Sequence, residues 1–136
     1  MNNVESILRL KRIAFNKIEF NRKGFKNDNE EQYSFEIQIA NSESKVFRVT
    51  IVLTVDKRDE YQILISLSGF FSFNEDDQLE KEQRDKLLHS NAVAILMPYV
   101  RSELTLLTAQ PETESIVMPP LNINKLLERE TDQQEE

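Results

Sequence analysis

Residues 46–73, VFRVTIVLTVDKRDEYQILISLSGFFSF, alternate between apolar and other side chains on both sides of a charged tetrapeptide. A period of two residues is typical of strands that bury one face. The two apolar rows are Phe47, Val49, Ile51, Leu53 and Val55, then Tyr61, Ile63, Ile65, Leu67, Phe71 and Phe73. The segment 57–60, KRDE, therefore predicts a hairpin turn between antiparallel neighbours. Gly69 within the second strand indicates a bulge or the close approach of another backbone.

Two further strands are predicted upstream of this hairpin. Residues 33–39 alternate regularly, and their apolar row is Tyr33, Phe35, Ile37 and Ile39. In residues 7–21 the apolar phase changes twice, because Leu8 and Leu10, then Ile13 and Phe15, then Ile18 and Phe20 fall on alternating faces. Each change of phase requires an extra residue, so we expect a long bulged strand.

Downstream of residue 73 the apolar period lengthens to that of a helix. Asn74 is predicted as its N-cap, and Pro98 predicts a kink within it. Two apolar rows follow: Leu88, Ala92, Ile95, Tyr99 and Leu106 form the first, and Val93, Met97, Val100, Leu104 and Leu107 form the second. Because one sheet covers only one row, we expect the second row to contact another subunit. A short second helix is predicted at residues 124–129.

Composition indicates one domain, residues 1–127, followed by an acidic tail, residues 128–136, that is too polar to pack. The tail has five acids and one arginine, so it contributes −4 of the net charge of −7. The remaining −3 disfavours general binding of nucleic acid. The chain has no cysteine, no basic and apolar leader at its start, and no apolar run long enough to span a membrane. We therefore expect a cytoplasmic protein.

The sequence offers no enzymatic motif. His89 is the only histidine, and the two glycines are too far apart for a phosphate-binding loop. The acids Glu75, Asp76 and Asp77 are interpreted as a solvated first helical turn and not as metal ligands. We expect neither catalysis nor a metal or other cofactor.

Five segments, in order and spacing, resemble the SecB family of export chaperones. They are RIAFNKIEF at 12–20, RVTI at 48–51, GFFSF at 69–73, LMPYVR at 96–101 and PPLNIN at 119–124. The resemblance implies an α+β fold in which a four-stranded antiparallel sheet packs against a long kinked helix and a short C-terminal helix. It also implies dimers of dimers that hold unfolded polypeptides without ATP.

The resemblance further implies a client groove formed by the second strand, the connection before it, the loop between the helices and the last helix. The groove residues would be Phe25, Phe35, Ile37, Ile39, Met118, Leu121, Ile123, Leu126 and Leu127. Members of the family dock the SecA motor through acidic positions on the outer sheet face. The matching positions here are Lys17, Asn21, Gln62 and Leu64, none of them acidic. We therefore expect weakened docking of SecA.

Two other functions remain open. The chain could be a dedicated chaperone for one partner, such as the antitoxin of a toxin–antitoxin system. Alternatively, it could be an assembly module whose apolar faces are all consumed by self-association. Holding of several unrelated clients would favour the general chaperone over both.

Overall fold

The computed structural model describes residues 8–41, 45–74 and 80–119. The strands are β1 (Leu8–Arg22), β2 (Glu31–Asn41), β3 (Phe47–Lys57) and β4 (Tyr61–Phe73). The helical part comprises α1 (Lys81–Leu87), a π-helical turn (Leu88–Ala92) and α2 (Val93–Thr108). The strands pair antiparallel in the order β1-β4-β3-β2, so the predicted α+β fold with one sheet and a long helix is confirmed. The predicted helix at 124–129 and the tail at 128–136 lie outside the described residues.

Strand β1 contains the two irregularities that its sequence predicts. Its register with β4 shifts between Leu10 and Arg12 and again between Phe15 and Lys17. Each extra residue keeps the next apolar side chains on the face that the apolar side chains of β4 occupy, because a shift of one residue reverses the face of a strand. The result is a continuous apolar row along β1.

The core lies between α2 and the two central strands. The apolar rows of β3 and β4 face α2 and are buried beneath it. The α2 side chains that cover them are Val93, Leu96, Val100 and Leu104. Gly69 marks the closest approach, since a Cβ there would lie 2.6 Å from Leu96 Cδ2. The side chain of Leu96 on the helix therefore explains this glycine. The predicted explanations, a bulge in β4 or the close approach of another backbone, are wrong.

The helix begins later than the sequence predicts. The structure places its first residue at Lys81, so the predicted N-cap at Asn74 is wrong. Glu80 is the N-cap, and its amide donates to Gln83 Oε1 at 3.1 Å. This hydrogen bond satisfies an amide that would otherwise have no partner at the helix start.

The row of α2 that was predicted to contact another subunit instead faces the chain's own sheet. Val93, Met97, Val100 and Leu104 are buried against the chain's own sheet, and Leu107 also packs on this core. Leu96, between the two predicted rows, completes the buried stripe at helical spacing. The large apolar side chains that α2 leaves exposed are Tyr99 and Leu106, from the row that was expected to face the sheet. The helix also has a π-helical turn at Leu88–Ala92. Pro98, where the sequence predicts a kink, lies after this turn and inside α2.

Candidate binding surfaces

Strand β2 is an edge strand whose apolar row faces the helix side of the sheet. Phe35, Ile37 and Ile39 pair in register with Leu53, Ile51 and Val49, whose side chains form the core. Ile37 is buried, whereas Phe35 and Ile39 are only partly covered, and Tyr33 is 43% exposed. The helical segment contacts β2 mainly through the π-helical turn. The row therefore presents apolar surface beside the helix.

A cavity of 380 Å³ opens at the Tyr33 end of this row. Its wall combines residues 27–30 of the β1–β2 connection, Glu31 and Tyr33 at the start of β2, Lys57 at the end of β3, and residues 114–116 after α2. Four carboxylates line it, those of Asp28, Glu30, Glu31 and Glu114. The cavity is thus acidic, and apolar surface is supplied mainly by Tyr33 and Ile116.

The β1–β2 connection is hydrogen-bonded to the β3–β4 hairpin through Glu60. The Glu60 carbonyl accepts hydrogen bonds from the amides of Lys23 at 2.7 Å and Gly24 at 3.1 Å. Glu60 Oε1 accepts from the Asn27 amide at 2.8 Å and lies 3.0 Å from Lys57 Nζ. Gly24 is required because a Cβ there would collide with the Asp59 carbonyl oxygen. These contacts fix one wall of the cavity.

Burial changes the pKa values of the ionisable groups near the Glu60 contacts. Burial alone would raise the pKa of Glu60, but the Asn27 amide and the Lys57 ammonium outweigh it and lower that pKa. Desolvation raises the pKa of Tyr33, with a further contribution from Glu31. Desolvation also raises the pKa of Tyr61 strongly, and Glu31 and Glu60 add to the effect. Glu60 is therefore the ionised group that holds the connection, and both tyrosines stay neutral.

Two threonines of α2 fix the segment after the helix. Thr105 Oγ1 donates to the Ile116 carbonyl at 2.7 Å, and the Ile116 amide donates to Thr108 Oγ1 at 2.8 Å. Ile116 is buried as a result, and Met118 packs partly on the core. The segment therefore forms a defined second wall of the cavity.

A separate apolar surface lies on β1, on the same face of the sheet. Leu10 is 37% exposed, Phe15 36% and Ile18 40%. On the helix side, Tyr99 and Leu106 are also exposed. We call the exposed residues Leu10, Phe15 and Ile18 the β1 row, and Tyr33, Phe35, Ile37 and Ile39 the β2 row.

The structure brings together part of the predicted groove. Phe35, Ile37 and Ile39 lie in one row, and Met118 follows the segment that forms the opposite cavity wall. Phe25 lies in the connection with 80% of its surface exposed, but it does not line the cavity. Leu121, Ile123, Leu126 and Leu127 lie outside the described residues. Strand alternation could have added Tyr33, whereas no sequence signal indicated Ile116, which is placed by hydrogen bonds to the helix.

The four positions matched to the SecA-docking acids lie on the opposite face of the sheet. Lys17 pairs with Ser66, and Asn21 with Gln62, in the β1–β4 register. The ammonium of Lys17 lies 3.2 Å from a carboxylate oxygen of Glu19. These positions thus present no acidic patch of the expected kind.

Neither a membrane span nor a metal centre is found in the part of the chain that the structure describes. No helix there is long and apolar enough to cross a bilayer. Nor does any group of three or more His, Asp or Glu side chains in residues 8–41, 45–74 and 80–119 have an arrangement suited to a metal ion.

No family model matches this chain, but curated relatives are similar to it in sequence. It is 29% identical to the protein-export protein SecB of Alcanivorax borkumensis over 110 residues, or 73% of this chain and 68% of the relative. It is 28% identical to the protein-export protein SecB of Anaplasma phagocytophilum over 83 residues, or 61% of this chain and 52% of the relative. The second alignment therefore spans about half of that relative's length.

Among the solved structures that are similar in fold is the SecB-like chaperone of Mycobacterium tuberculosis in complex with a ChAD peptide from the HigA1 antitoxin, with a TM-score of 0.72. The sequences are 13% identical, and the match covers 85% of this chain and 88% of the other. These relatives are export proteins and chaperones and not enzymes, which agrees with the prediction that this chain is not an enzyme.

Proposed function

We propose that this chain, a SecB-like protein in sequence and in fold, holds non-native polypeptide segments along the β2 row and the adjoining cavity. The observation that supports this proposal most is the cavity itself. It joins the β1–β2 connection, the start of β2 and the segment after the helix at one end of a partly covered apolar row.

The physical basis of holding is the burial of client side chains on surface that the chain leaves uncovered. Removing apolar area from water yields about 25 cal/mol per Å² and demands no particular sequence. An extended segment can also contact several such places at once, so weak contacts add to a useful overall affinity. No bond is made or broken, and no nucleotide is required.

The β1 row provides the surface for self-association in this proposal. It lies at the opposite edge of the sheet from the β2 row, so a second copy can cover Leu10, Phe15 and Ile18 while the β2 row stays accessible. Tyr99 and Leu106 of α2 extend the exposed apolar area. We take the oligomer to be a dimer that pairs again into a dimer of dimers.

A dedicated chaperone for a single partner is the second candidate. The similar solved structure holds a peptide from an antitoxin, and a single bound partner of this kind is what the second candidate requires. The acidic cavity would add selectivity on this chain, since carboxylates disfavour acidic client segments. The two candidates differ in the range of clients and not in the binding surface.

The test compares three variants in suppression of aggregation. Phe35→Ser and Ile39→Ser each remove apolar surface from the β2 row, and loss of one such contact weakens holding roughly tenfold. The matched control is Val52→Ser, because Val52 is a half-buried strand residue on the opposite face. Light scattering of several unrelated unfolded proteins is measured at equal oligomer mass.

The outcomes separate the candidate functions. Weakened holding of all clients by the two β2 variants, with Val52→Ser unchanged, supports the general chaperone. Holding of one partner alone, with the same response to the variants, supports the dedicated chaperone. No holding of any client by the wild-type oligomer would leave only the assembly module.

A further inference from the structure

Three arginines lie on the face of the sheet that carries no helix, and two of them contact an aromatic ring. The Arg12 guanidinium carbon lies 4.0 Å from the centre of the Phe70 ring, and that of Arg48 lies 5.6 Å from it. Arg9 pairs with Ser72 in the β1–β4 register, so it lies on this face close to Arg12. All three arginines are exposed. We call Arg9, Arg12, Arg48 and Phe70 the arginine face.

Two of the three guanidinium groups, those of Arg12 and Arg48, are held in place without being neutralised. Arg48 donates from Nε to Ser68 Oγ at 3.0 Å and from Nη2 to Asn16 Oδ1 at 2.8 Å, both of which are neutral partners. Arg12 rests on the Phe70 ring, a contact that orients a guanidinium while leaving its N–H edge open. Among the described residues, no carboxylate lies within 4.0 Å of any of these three arginines, in contrast to Lys17 and Arg58.

We propose that the arginine face binds an acidic segment of a partner protein. Guanidinium groups bind carboxylates through paired hydrogen bonds, and arginines that are already oriented lose less side-chain entropy on binding. A chain with a net charge of −7 that keeps three cations together has the local charge needed to attract an acidic segment. This surface lies on the other side of the sheet from the β2 row, so the proposal does not depend on client holding.

The geometry favours an acidic peptide over nucleic acid. Bases bind single-strand platforms by stacking on aromatic rings, but Arg12 already occupies a face of the Phe70 ring. Three arginines also contact few phosphates, and affinity for nucleic acid rises with the number of phosphates neutralised. Carboxylates need no stacking surface and match the open guanidinium edges.

The experiment measures binding of a fluorescein-labelled peptide of alternating glutamate and glycine by anisotropy at physiological salt. The variant Arg9→Gln/Arg12→Gln should weaken binding at least tenfold, because it removes two charges and leaves Arg48 with its hydrogen bonds. The matched control Arg58→Gln removes an exposed charge in the β3–β4 turn and should have no effect. A glutamine–glycine peptide should not bind.

Several results would overturn the proposal. Equal losses in Arg9→Gln/Arg12→Gln and Arg58→Gln would mean that overall charge, and not this face, attracts the peptide. Stronger binding of a single-stranded oligonucleotide than of the acidic peptide would assign the face to nucleic acid. A tenfold gain in peptide binding after removal of residues 128–136, or in Glu75→Gln/Asp76→Asn/Asp77→Asn, would show that the chain's own acids are its occupant. Client holding measured in parallel should be unchanged in Arg9→Gln/Arg12→Gln, which separates this proposal from the proposed function.

Discussion

On one face of the sheet, Leu67 and Ile65 of β4 are fully buried, while their register partners Phe15 and Ile18 of β1 are 36% and 40% exposed. The two strands have equally apolar rows, so the difference does not come from their composition. It comes from the position of α2, which packs on β3 and β4 and leaves the edge strands only partly covered. The chain thus completes its core over the central strands and retains apolar surface on both edge strands.

This difference divides the molecule into a part that stabilises the fold and a part available for binding. A fully buried Val, Leu, Ile or Phe side chain contributes about 1.5–3 kcal/mol relative to an exposed one. On the central strands that contribution is already realised in a single chain. On the β1 and β2 rows it becomes available when another copy or a client covers them.

The largest effect is expected at the buried ion pair that closes the end of the central hairpin. Lys57→Met should lower the free energy of unfolding by about 3–5 kcal/mol, because it leaves the Glu60 carboxylate buried without its cation. The side chains of Lys57 and Glu60 are 3% and 0% exposed. Urea unfolding monitored by circular dichroism measures the change. The neighbouring Arg58→Met, whose side chain is 86% exposed, should change stability by about 0.5 kcal/mol or less.

The second prediction compares two leucines of the same helix. Leu96→Ala should cost about 2–5 kcal/mol, because it opens a cavity where Leu96 packs on Gly69. Leu106→Ala removes the same atoms from a side chain that is 66% exposed and should cost about 0.5 kcal/mol or less. Unfolding is measured at low protein concentration, so that self-association does not contribute. Equal losses would contradict the assignment of buried and exposed rows on α2.

The third prediction concerns the β1 row. Phe15→Ser and Ile18→Ser should each weaken self-association about tenfold, since each removes apolar area from the proposed contact between copies. Analytical ultracentrifugation over a range of concentrations measures the dissociation constant. Lys17→Ser, between them in sequence but on the opposite face, is the control and should leave it unchanged. An oligomer insensitive to both apolar variants would place the contact elsewhere.

The smallest effect is a pH dependence from Glu60. Because folding lowers the pKa of Glu60, its contribution to stability is fully present above the pKa of an unfolded glutamate and is lost as pH falls through the lower, folded pKa. Unfolding free energies measured from pH 6 down to acid should therefore decline more steeply in the wild type than in Glu60→Gln. Identical slopes would mean that the contacts of Glu60 with the Asn27 amide and the Lys57 ammonium do not favour the ionised carboxylate.

The sequence predicted the strands and the irregular β1 because a period of two, and each break in it, is local information. It misplaced the rows of α2, since both are apolar and only packing against a particular sheet decides which one is buried. The charged turn at 57–60 gave no sign of a buried ion pair. That burial depends on the β1–β2 connection folding over the hairpin, with Asn27 bonded to a glutamate 33 residues away. The acidic cavity depends on the same long-range contact.

The most direct test of the division between the two edges is site-specific photocrosslinking. Benzoylphenylalanine is placed at Phe15 in one variant and at Phe35 in another, and each oligomer is irradiated with a labelled unfolded protein. We expect the β2 position to crosslink to the client and the β1 position to crosslink to a second copy of the chain. Client crosslinks from Phe15 and self-crosslinks from Phe35 would contradict it.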